Sequence, residues 1–283
     1  MKRKVILAES AGFCFGVQRA VDQTTKIQKE YGKKIYTLGP LIHNNDVVKF
    51  LENNEVFSIS LDEITNLSKG DAVIIRSHGV SKEVMDLLES KGLIIIDATC
   101  PFVTNIQKKV NKYSKEGYQI VILGDKDHPE VIGINGWCNN NAIITKDGEF
   151  HGRIPNKVCV VSQTTEKEEN WVNTIKNLSV ITKELLAFNT ICAATEVRQK
   201  GVLELSKTVD LMIIVGGKNS SNTTKLYQIA KTNCDRTIHI ENSSELPKEI
   251  INDKTISKIG ITAGASTPDW IINEVVELME GDI

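Results

Sequence analysis

A cysteine placed between a predicted strand and a predicted helix occurs three times in this chain, and this repetition constrains the fold more than any other feature. The clearest copy is LIIIDATCPFVTN, residues 93–105. Its four leading apolar residues predict a strand buried on both faces, and Pro101 suits the first position of a helix. Cys14 and Cys192 lie at similar junctions, 86 residues before and 92 residues after Cys100. Because N–H groups at a helix start favour negative charge, each junction favours a thiolate.

Two further strand-and-loop patterns follow each cysteine, and their loops carry polar side chains at similar distances from it. The first loops contain His43, His128 and Ser220, at 29, 28 and 28 residues. The second loops contain His78, Thr164 and Ser266, at 64, 64 and 74 residues. Strands that alternate with helices predict an α/β fold with parallel sheets, whose ligand-binding loops lie at the carboxyl ends of the strands.

The repeat divides the chain into three predicted α/β units: residues 15–99, residues 100–191, and residues 192–283 together with 1–14. Packed about a pseudo-threefold axis, three such units would bring the cysteines together at the centre. The third copy is the weakest, because its strand is poorly defined and Gly201 is expected to interrupt the helix after Cys192.

Composition argues against several classes of protein. The 283 residues are 41% hydrophobic and carry a net charge of −2, which gives no basic face for nucleic acid. The opening MKRKVILAES has too few apolar residues for a signal peptide, and no apolar run approaches the roughly 20 residues that cross a membrane. We therefore predict a cytoplasmic globular protein that binds neither nucleic acid nor a membrane.

The chain has six cysteines without a closely spaced pair, which argues against a disulfide framework and a structural zinc site. Three converging thiolates suit a 4Fe-4S cluster, in which one open iron can bind a substrate oxygen. Two alternatives stay open: a zinc-dependent hydrolase that uses the three cysteines, and a non-catalytic protein that binds a phosphorylated metabolite. Cys138, Cys159 and Cys234 have no equivalents in the repeat and are predicted to be packing or loop residues.

The polar loops supply the side chains of an anion site. Histidines, hydroxyls and an amide, together with helix-start N–H groups, predict a phosphate or diphosphate pocket without a P-loop. The loops are GPLIHN, RSHG, GDKDHPEV, GGKNSSN and GAS. Glu130, directly after Pro129, is the only evident proton donor in them. The alternative for Glu130 is a surface carboxylate that the helix dipole stabilises.

Nine motifs, in order and over nearly the whole chain, resemble the family of 4-hydroxy-3-methylbut-2-enyl diphosphate reductases. They are GFCFGVQRA, GPLIHN, SHGV, DATCPFV, HPEV, SQTT, ICAAT followed by RQ, GGKNSSN and TAGASTPD. The resemblance implies three α/β units arranged like a trefoil around a central 4Fe-4S cluster. It also implies reductive dehydration of the allylic alcohol diphosphate to isopentenyl and dimethylallyl diphosphates, with electrons from ferredoxin or flavodoxin.

The resemblance further implies roles for individual residues. Glu130 would deliver a proton, with His128 beside it, and Thr164 would hydrogen-bond the substrate hydroxyl and help to relay that proton. Gln163 and Thr165 would support them. The implied cluster ligands are Cys14, Cys100 and Cys192. The residues implied to bind the diphosphate substrate are His43, His78, His128, Thr164, Ser220, Ser221, Asn222 and Ser266.

Overall fold

The structure, a computed structural model, describes residues 3–32 and 34–281, and within them it contains three four-stranded sheets whose strand pairs are all parallel. The predicted α/β class with parallel sheets is therefore confirmed. Residues 1–2, 33 and 282–283, which the predicted unit boundaries include, lie outside the described residues.

The three sheets share one strand order, in which the earliest strand of each chain segment lies between the next two. The first sheet has the order β3 (Val56–Ile59), β2 (Ile35–Leu38), β4 (Ala72–Ile75), β5 (Ile94–Asp97). The second has the order β7 (Ile143–Thr145), β6 (Gln119–Leu123), β8 (Lys157–Ser162), β9 (Glu184–Ala187). The third has the order β11 (Thr237–Ile240), β10 (Leu211–Val215), β12 (Lys258–Ala263), β1 (Lys4–Leu7).

The third sheet takes its fourth strand from the other end of the chain. β1 pairs with β12, so that Lys4 lies opposite Lys258. In all three sheets the fourth strand is an edge strand, and a cysteine follows it: Cys14 after β1, Cys100 after β5 and Cys192 after β9. A cysteine therefore follows the fourth strand in every sheet, even in the third sheet, where that strand comes from the start of the chain.

Helices connect most consecutive strands, as is usual in parallel sheets. They are α1 (Phe15–Tyr31), α2 (Asn45–Glu52), α3 (Lys82–Ser90), α4 (Pro101–Lys115), α5 (Pro129–Gly136), α6 (Glu168–Ile181), α7 (Ala193–Ser206), α8 (Ser221–Lys231), α9 (Lys248–Asn252) and α10 (Asp269–Glu280). Short 3-10 helices cover Asp62–Asn66 and Ser243–Glu245.

The core lies along the central strands and the helix faces that cover them. β4 and β10 are buried at every residue, which accounts for their unbroken apolar sequences. On α4 the predicted apolar positions Val103, Ile106 and Val110 are buried, and each such side chain contributes about 1.5–3 kcal/mol on burial.

Two local predictions were wrong. The strand that precedes Cys100 is not buried on both faces: Ile94 is 42% exposed, because β5 is an edge strand with one neighbour. Gly201 does not interrupt the helix after Cys192, since α7 runs through it to Ser206. A glycine costs a helix interior about 1 kcal/mol, which neighbouring turns and packing can offset.

The chain separates into two compact units. One comprises Met1–Gln18, Ile42–Lys49 and Ala193–Ile283, and the other comprises Arg19–Leu41 and Phe50–Cys192. The first unit contains the third sheet, and the second contains the other two. Within the first unit, side-chain hydrogen bonds tie the start of α2 to the chain after β11: Asn45 donates to Glu241 (3.1 Å) and Asn242 donates to Asp46 (3.0 Å).

Candidate active site

Each of the three repeat cysteines is held in the same way by the backbone. Its N–H donates to a carbonyl in the loop that follows the neighbouring third strand of its sheet. The pairs are Cys14 to Ala265 (3.2 Å), Cys100 to Ser77 (2.9 Å) and Cys192 to Thr164 (2.9 Å). These acceptors are Thr164 itself and the residues directly before His78 and Ser266. The bond therefore couples every repeat cysteine to one of the polar loops singled out in the sequence.

The six cysteines fall into two groups by burial. Cys14, Cys100 and Cys192 are partly exposed at helix starts, and Cys100 is the N-cap residue of α4. Cys138, Cys159 and Cys234 are buried, as predicted for packing residues. Burial raises the pKa of the Cys138 thiol to about 11 and that of the Cys159 thiol to about 12. These two buried thiols are therefore protonated and inert at neutral pH.

Glu130 and Thr164 form the most closely connected pair of polar side chains predicted from the sequence. Glu130 lies in the first turn of α5 and is only 2% exposed. The backbone N–H of Thr164 donates to Glu130 Oε1 (2.6 Å), and the Thr164 hydroxyl donates to Oε2 (2.7 Å). Because the carboxylate is buried and both of its oxygens accept hydrogen bonds, the alternative of a surface carboxylate is wrong. The pair provides a direct hydrogen-bonded route for a proton between an acid and a hydroxyl.

His128 fixes the start of the helix that carries Glu130. It is the N-cap residue of α5, and its Nδ1 accepts the backbone N–H of Glu130 (3.2 Å). This hydrogen bond orients the His128 ring at the start of α5. The His78 ring lies edge-on to the His128 ring, with 5.4 Å between centroids.

One glycine of α5 allows the chain after His78 to come this close. A Cβ atom at Gly136 would lie 2.1 Å from the Ser81 Cβ, whereas one at Gly133 would lie 3.5 Å from the Gly79 backbone, which is an ordinary contact distance. The sequence PEVIGING carries this signal, since a glycine in a short helix can mark a close approach of another backbone. Gly136 is not among the residues predicted from the sequence.

Gln163 and Thr165 support the Thr164 loop. Gln163 Oε1 accepts the backbone N–H of Asp125 (3.1 Å), and its Nε2 donates to the Thr165 hydroxyl (3.0 Å). One amide side chain thus joins the loop after β6 to the loop after β8. This arrangement holds the Glu130 and Thr164 loops in register.

In the other compact unit, the start of α8 carries a second group of predicted residues. Ser220 caps the helix by accepting the Thr223 N–H (3.3 Å), and Ser221 is its first residue. Asn222 is 4% exposed, and its Nδ2 has no hydrogen-bond partner within residues 3–32 and 34–281. Helix-start N–H groups beside a buried amide donor suit an anion.

His43 and Ser266 lie beside this helix start in the same unit. The Ser266 hydroxyl donates to the His43 carbonyl oxygen (3.2 Å). A Cβ atom at Gly217 would lie 2.4 Å from that same oxygen, so glycine is required for the loop before α8 to pass it. His43, Ser266 and the Ser220–Asn222 segment therefore belong to one local group.

No helix in the part of the chain that the structure describes has the length and apolar character needed to span a bilayer.

The fold and these loops define an α/β enzyme with partly exposed cysteines and a buried acid, and comparisons with known proteins specify its family. The model of the LytB protein family matches residues 5–280. A relative from Clostridium perfringens (strain 13 / Type A), called 4-hydroxy-3-methylbut-2-enyl diphosphate reductase, is 62% identical over 276 residues, which are 98% of each chain. The chain belongs to the LytB family and is an oxidoreductase.

Two solved structures resemble the chain over nearly its whole length. One is described as (E)-4-hydroxy-3-methyl-but-2-enyl diphosphate reductase, the terminal enzyme of the non-mevalonate pathway; it is 43% identical, covers 99% of each chain and gives a TM-score of 0.71. The other, E-1-hydroxy-2-methyl-but-2-enyl-4-diphosphate reductase from Plasmodium falciparum, is 29% identical, with a TM-score of 0.90. That match covers 98% of this chain and 88% of the other.

Proposed function

We propose that this protein catalyses the reductive dehydration of 4-hydroxy-3-methylbut-2-enyl diphosphate to isopentenyl and dimethylallyl diphosphates. The full-length relatives named as this reductase support the reaction. The observation that carries the proposal is the buried Glu130 carboxylate, both of whose oxygens accept hydrogen bonds from Thr164. A substrate hydroxyl leaves as water only if a proton reaches it, and Glu130, once it has taken up a proton, can pass that proton on through the Thr164 hydroxyl.

We propose that Cys14, Cys100 and Cys192 hold a 4Fe-4S cluster. The donor set fits, because these three thiols are partly exposed at helix starts while the other three are buried. A helix start favours the thiolate that iron requires. When bound, a cluster with three cysteine ligands supplies electrons and an open iron that acts as a Lewis acid toward the substrate oxygen.

The diphosphate of the substrate is proposed to bind to the polar loops. Hydrogen-bond donors, rather than a P-loop, would hold it: the Asn222 amide and the N–H groups at the start of α8 are examples. The complete proposed set is His43, His78, His128, Thr164, Ser220, Ser221, Asn222 and Ser266. Binding energy from this unreacting group can orient the reacting carbon chain.

Three further predictions accompany this proposal. Ferredoxin or flavodoxin is the proposed electron donor, and the cytoplasm is the proposed location. Residues 15–99, 100–191 and 192–283 with 1–14 are proposed as three related units, supported by the strand order that the three sheets share.

Metal analysis after anaerobic purification tests the proposal. We expect about four irons per chain and broad visible absorbance. Cys14→Ser, Cys100→Ser and Cys192→Ser should each lose or impair the cluster, whereas the matched buried variant Cys159→Ser should keep it. A colourless protein with one zinc would support a hydrolase instead, and a protein without metal would support a phosphometabolite-binding function. A full cluster in all three ligand variants would refute the assignment.

A further inference from the structure

A buried arginine joins the chain next to two of the repeat cysteines. Arg198 lies on α7, six residues after Cys192, and is 5% exposed. Its Nη1 donates to the Ala194 carbonyl (2.9 Å), and its Nη2 donates to the Gly12 carbonyl (2.7 Å). Ala194 lies two residues after Cys192, and Gly12 lies two residues before Cys14. One guanidinium group therefore binds the backbone just after Cys192 and the backbone just before Cys14.

The Gly12 carbonyl is presented by a backbone conformation that favours glycine. Gly12 has φ +101°, and a Cβ atom there would lie 3.0 Å from the Asp269 carboxylate. The loop before Cys14 thus depends on local geometry that an L side chain disfavours. The hydrogen bond from Arg198 to the Gly12 carbonyl fixes this loop at that residue.

A second arginine makes the equivalent contact at the third cysteine. Arg19 lies on α1, five residues after Cys14, and its Nη1 donates to the Thr99 carbonyl (3.1 Å). Thr99 is buried and directly precedes Cys100. In both cases, a guanidinium on the helix after one cysteine binds the carbonyl just before another.

The helix after Cys100 carries a lysine that makes a different kind of contact from the two arginines. The Lys109 ammonium group on α4 lies over the Phe188 ring, 4.5 Å from the ring centroid. Phe188 is four residues before Cys192. A cation over an aromatic ring does not fix a backbone carbonyl. A side chain that binds a backbone carbonyl before another cysteine is therefore described on two of these three helices, and both times it is an arginine.

We propose that Arg19 and Arg198 are positioning residues that clamp the loops before Cys100 and Cys14, and that their positive charge acts on the group that these cysteines hold. This proposal rests on the proposed cluster for its electrostatic part. Charge-assisted hydrogen bonds are roughly twice as strong as neutral ones, so the clamps are strong constraints on the loops. A positive charge nearby stabilises the more negative reduced cluster and therefore raises its reduction potential.

Two readouts separate the clamp from the charge. Hydrogen exchange of the metal-free protein reports on the clamp, because the Cys14 and Cys100 N–H groups are bonded to carbonyls of adjacent loops. We expect Arg198→Met to speed exchange in residues 11–15, and Arg19→Met in residues 98–101, by about tenfold, as the loss of a charged hydrogen bond implies. An EPR-monitored redox titration reports on the charge, and we expect a lower potential in both variants.

Conservative and control variants complete the test. Arg198→Lys keeps the charge but cannot reproduce both carbonyl contacts, so it should restore the potential and leave exchange fast. Arg236→Met is the matched control, because Arg236 makes an exposed ion pair with Asp253 (3.1 Å). Exchange and potential that match the parent protein in Arg19→Met and Arg198→Met would overturn the proposal. If the parent protein binds no cluster, the proposed function fails, while exchange in the metal-free protein still decides the clamp.

Discussion

The loops that open α5 and α8 occupy the same place in two sheets and carry different chemistry. Each follows the strand that comes first in its chain segment, β6 or β10, and each ends in a side chain that caps the next helix. The α5 loop caps with His128 and then presents a carboxylate, Glu130. The α8 loop caps with Ser220 and then presents a hydroxyl and the buried amide of Asn222.

The difference shows how one backbone arrangement supports two roles. A carboxylate in the first turn of a helix is stabilised by the helix dipole, and Thr164 fixes its two oxygens so that it can exchange a proton. Hydroxyl and amide donors at the same position do not neutralise the partial positive charge of the helix N-terminus, and this favours binding of an external anion. We therefore expect substitutions in the α5 loop to affect turnover and substitutions in the α8 loop to affect affinity.

The largest expected effect is that of Glu130→Gln. The amide is nearly isosteric and retains the fold, but it cannot deliver a proton, so turnover with a reduced dye as electron donor should fall by about 100-fold or more. Iron content and diphosphate affinity should stay near the parent values.

Glu166→Gln is the matched control for this variant. Glu166 is also buried in the same loop region, but its carboxylate accepts the Lys167 N–H (3.0 Å) and the Asn170 amide (3.1 Å). Its turnover should change little. Near-normal turnover of Glu130→Gln would show that the proton comes from another group.

An intermediate effect is expected for Asn222→Ala. Loss of a buried donor that faces an anion should weaken binding of inorganic diphosphate about tenfold, which calorimetry can measure, with a smaller change in kcat. Asn233→Ala, an exposed substitution beyond the other end of α8, is the control. Equal affinities of the two variants would remove Asn222 from the proposed anion site.

The smallest expected effect is that of Ser220→Ala on the stability of the ligand-free protein. Loss of an N-cap hydroxyl costs about 1 kcal/mol, or roughly 2–4 °C in Tm for a chain of this size. Ser179→Ala is the control, because that hydroxyl bonds only locally to the Lys176 carbonyl at the end of α6. An unchanged Tm would show that the Ser220 cap contributes nothing measurable to α8.

Several features could be predicted because they depend on neighbouring residues. Cys100 as N-cap, Pro101 in the first turn and the buried face of α4 follow from local capping rules and helical spacing. The repeated strand-to-helix pattern also separated Cys14, Cys100 and Cys192 from the other three cysteines, and the structure shows that the first group is partly exposed and the second buried. These features need no knowledge of distant contacts.

Other features could not be predicted from the sequence because they depend on the position of each strand in its sheet, at the edge or in the centre. β3, β7 and β11 were missed; each is a strand of three or four residues at the sheet edge opposite the strand that leads to a cysteine. The exposure of Ile94 follows from the edge position of β5, which a purely apolar run does not reveal.

The sequence by itself determined the α/β class, the helix-start cysteines and the supply of histidines, hydroxyls and a carboxylate. Only the tertiary structure decided that both oxygens of Glu130 are held by Thr164, 34 residues away, and that Arg198 binds the Gly12 carbonyl, 186 residues away. The physical reason is range. Capping and periodicity act within a few residues, whereas these hydrogen bonds require strands and helices to be assembled first.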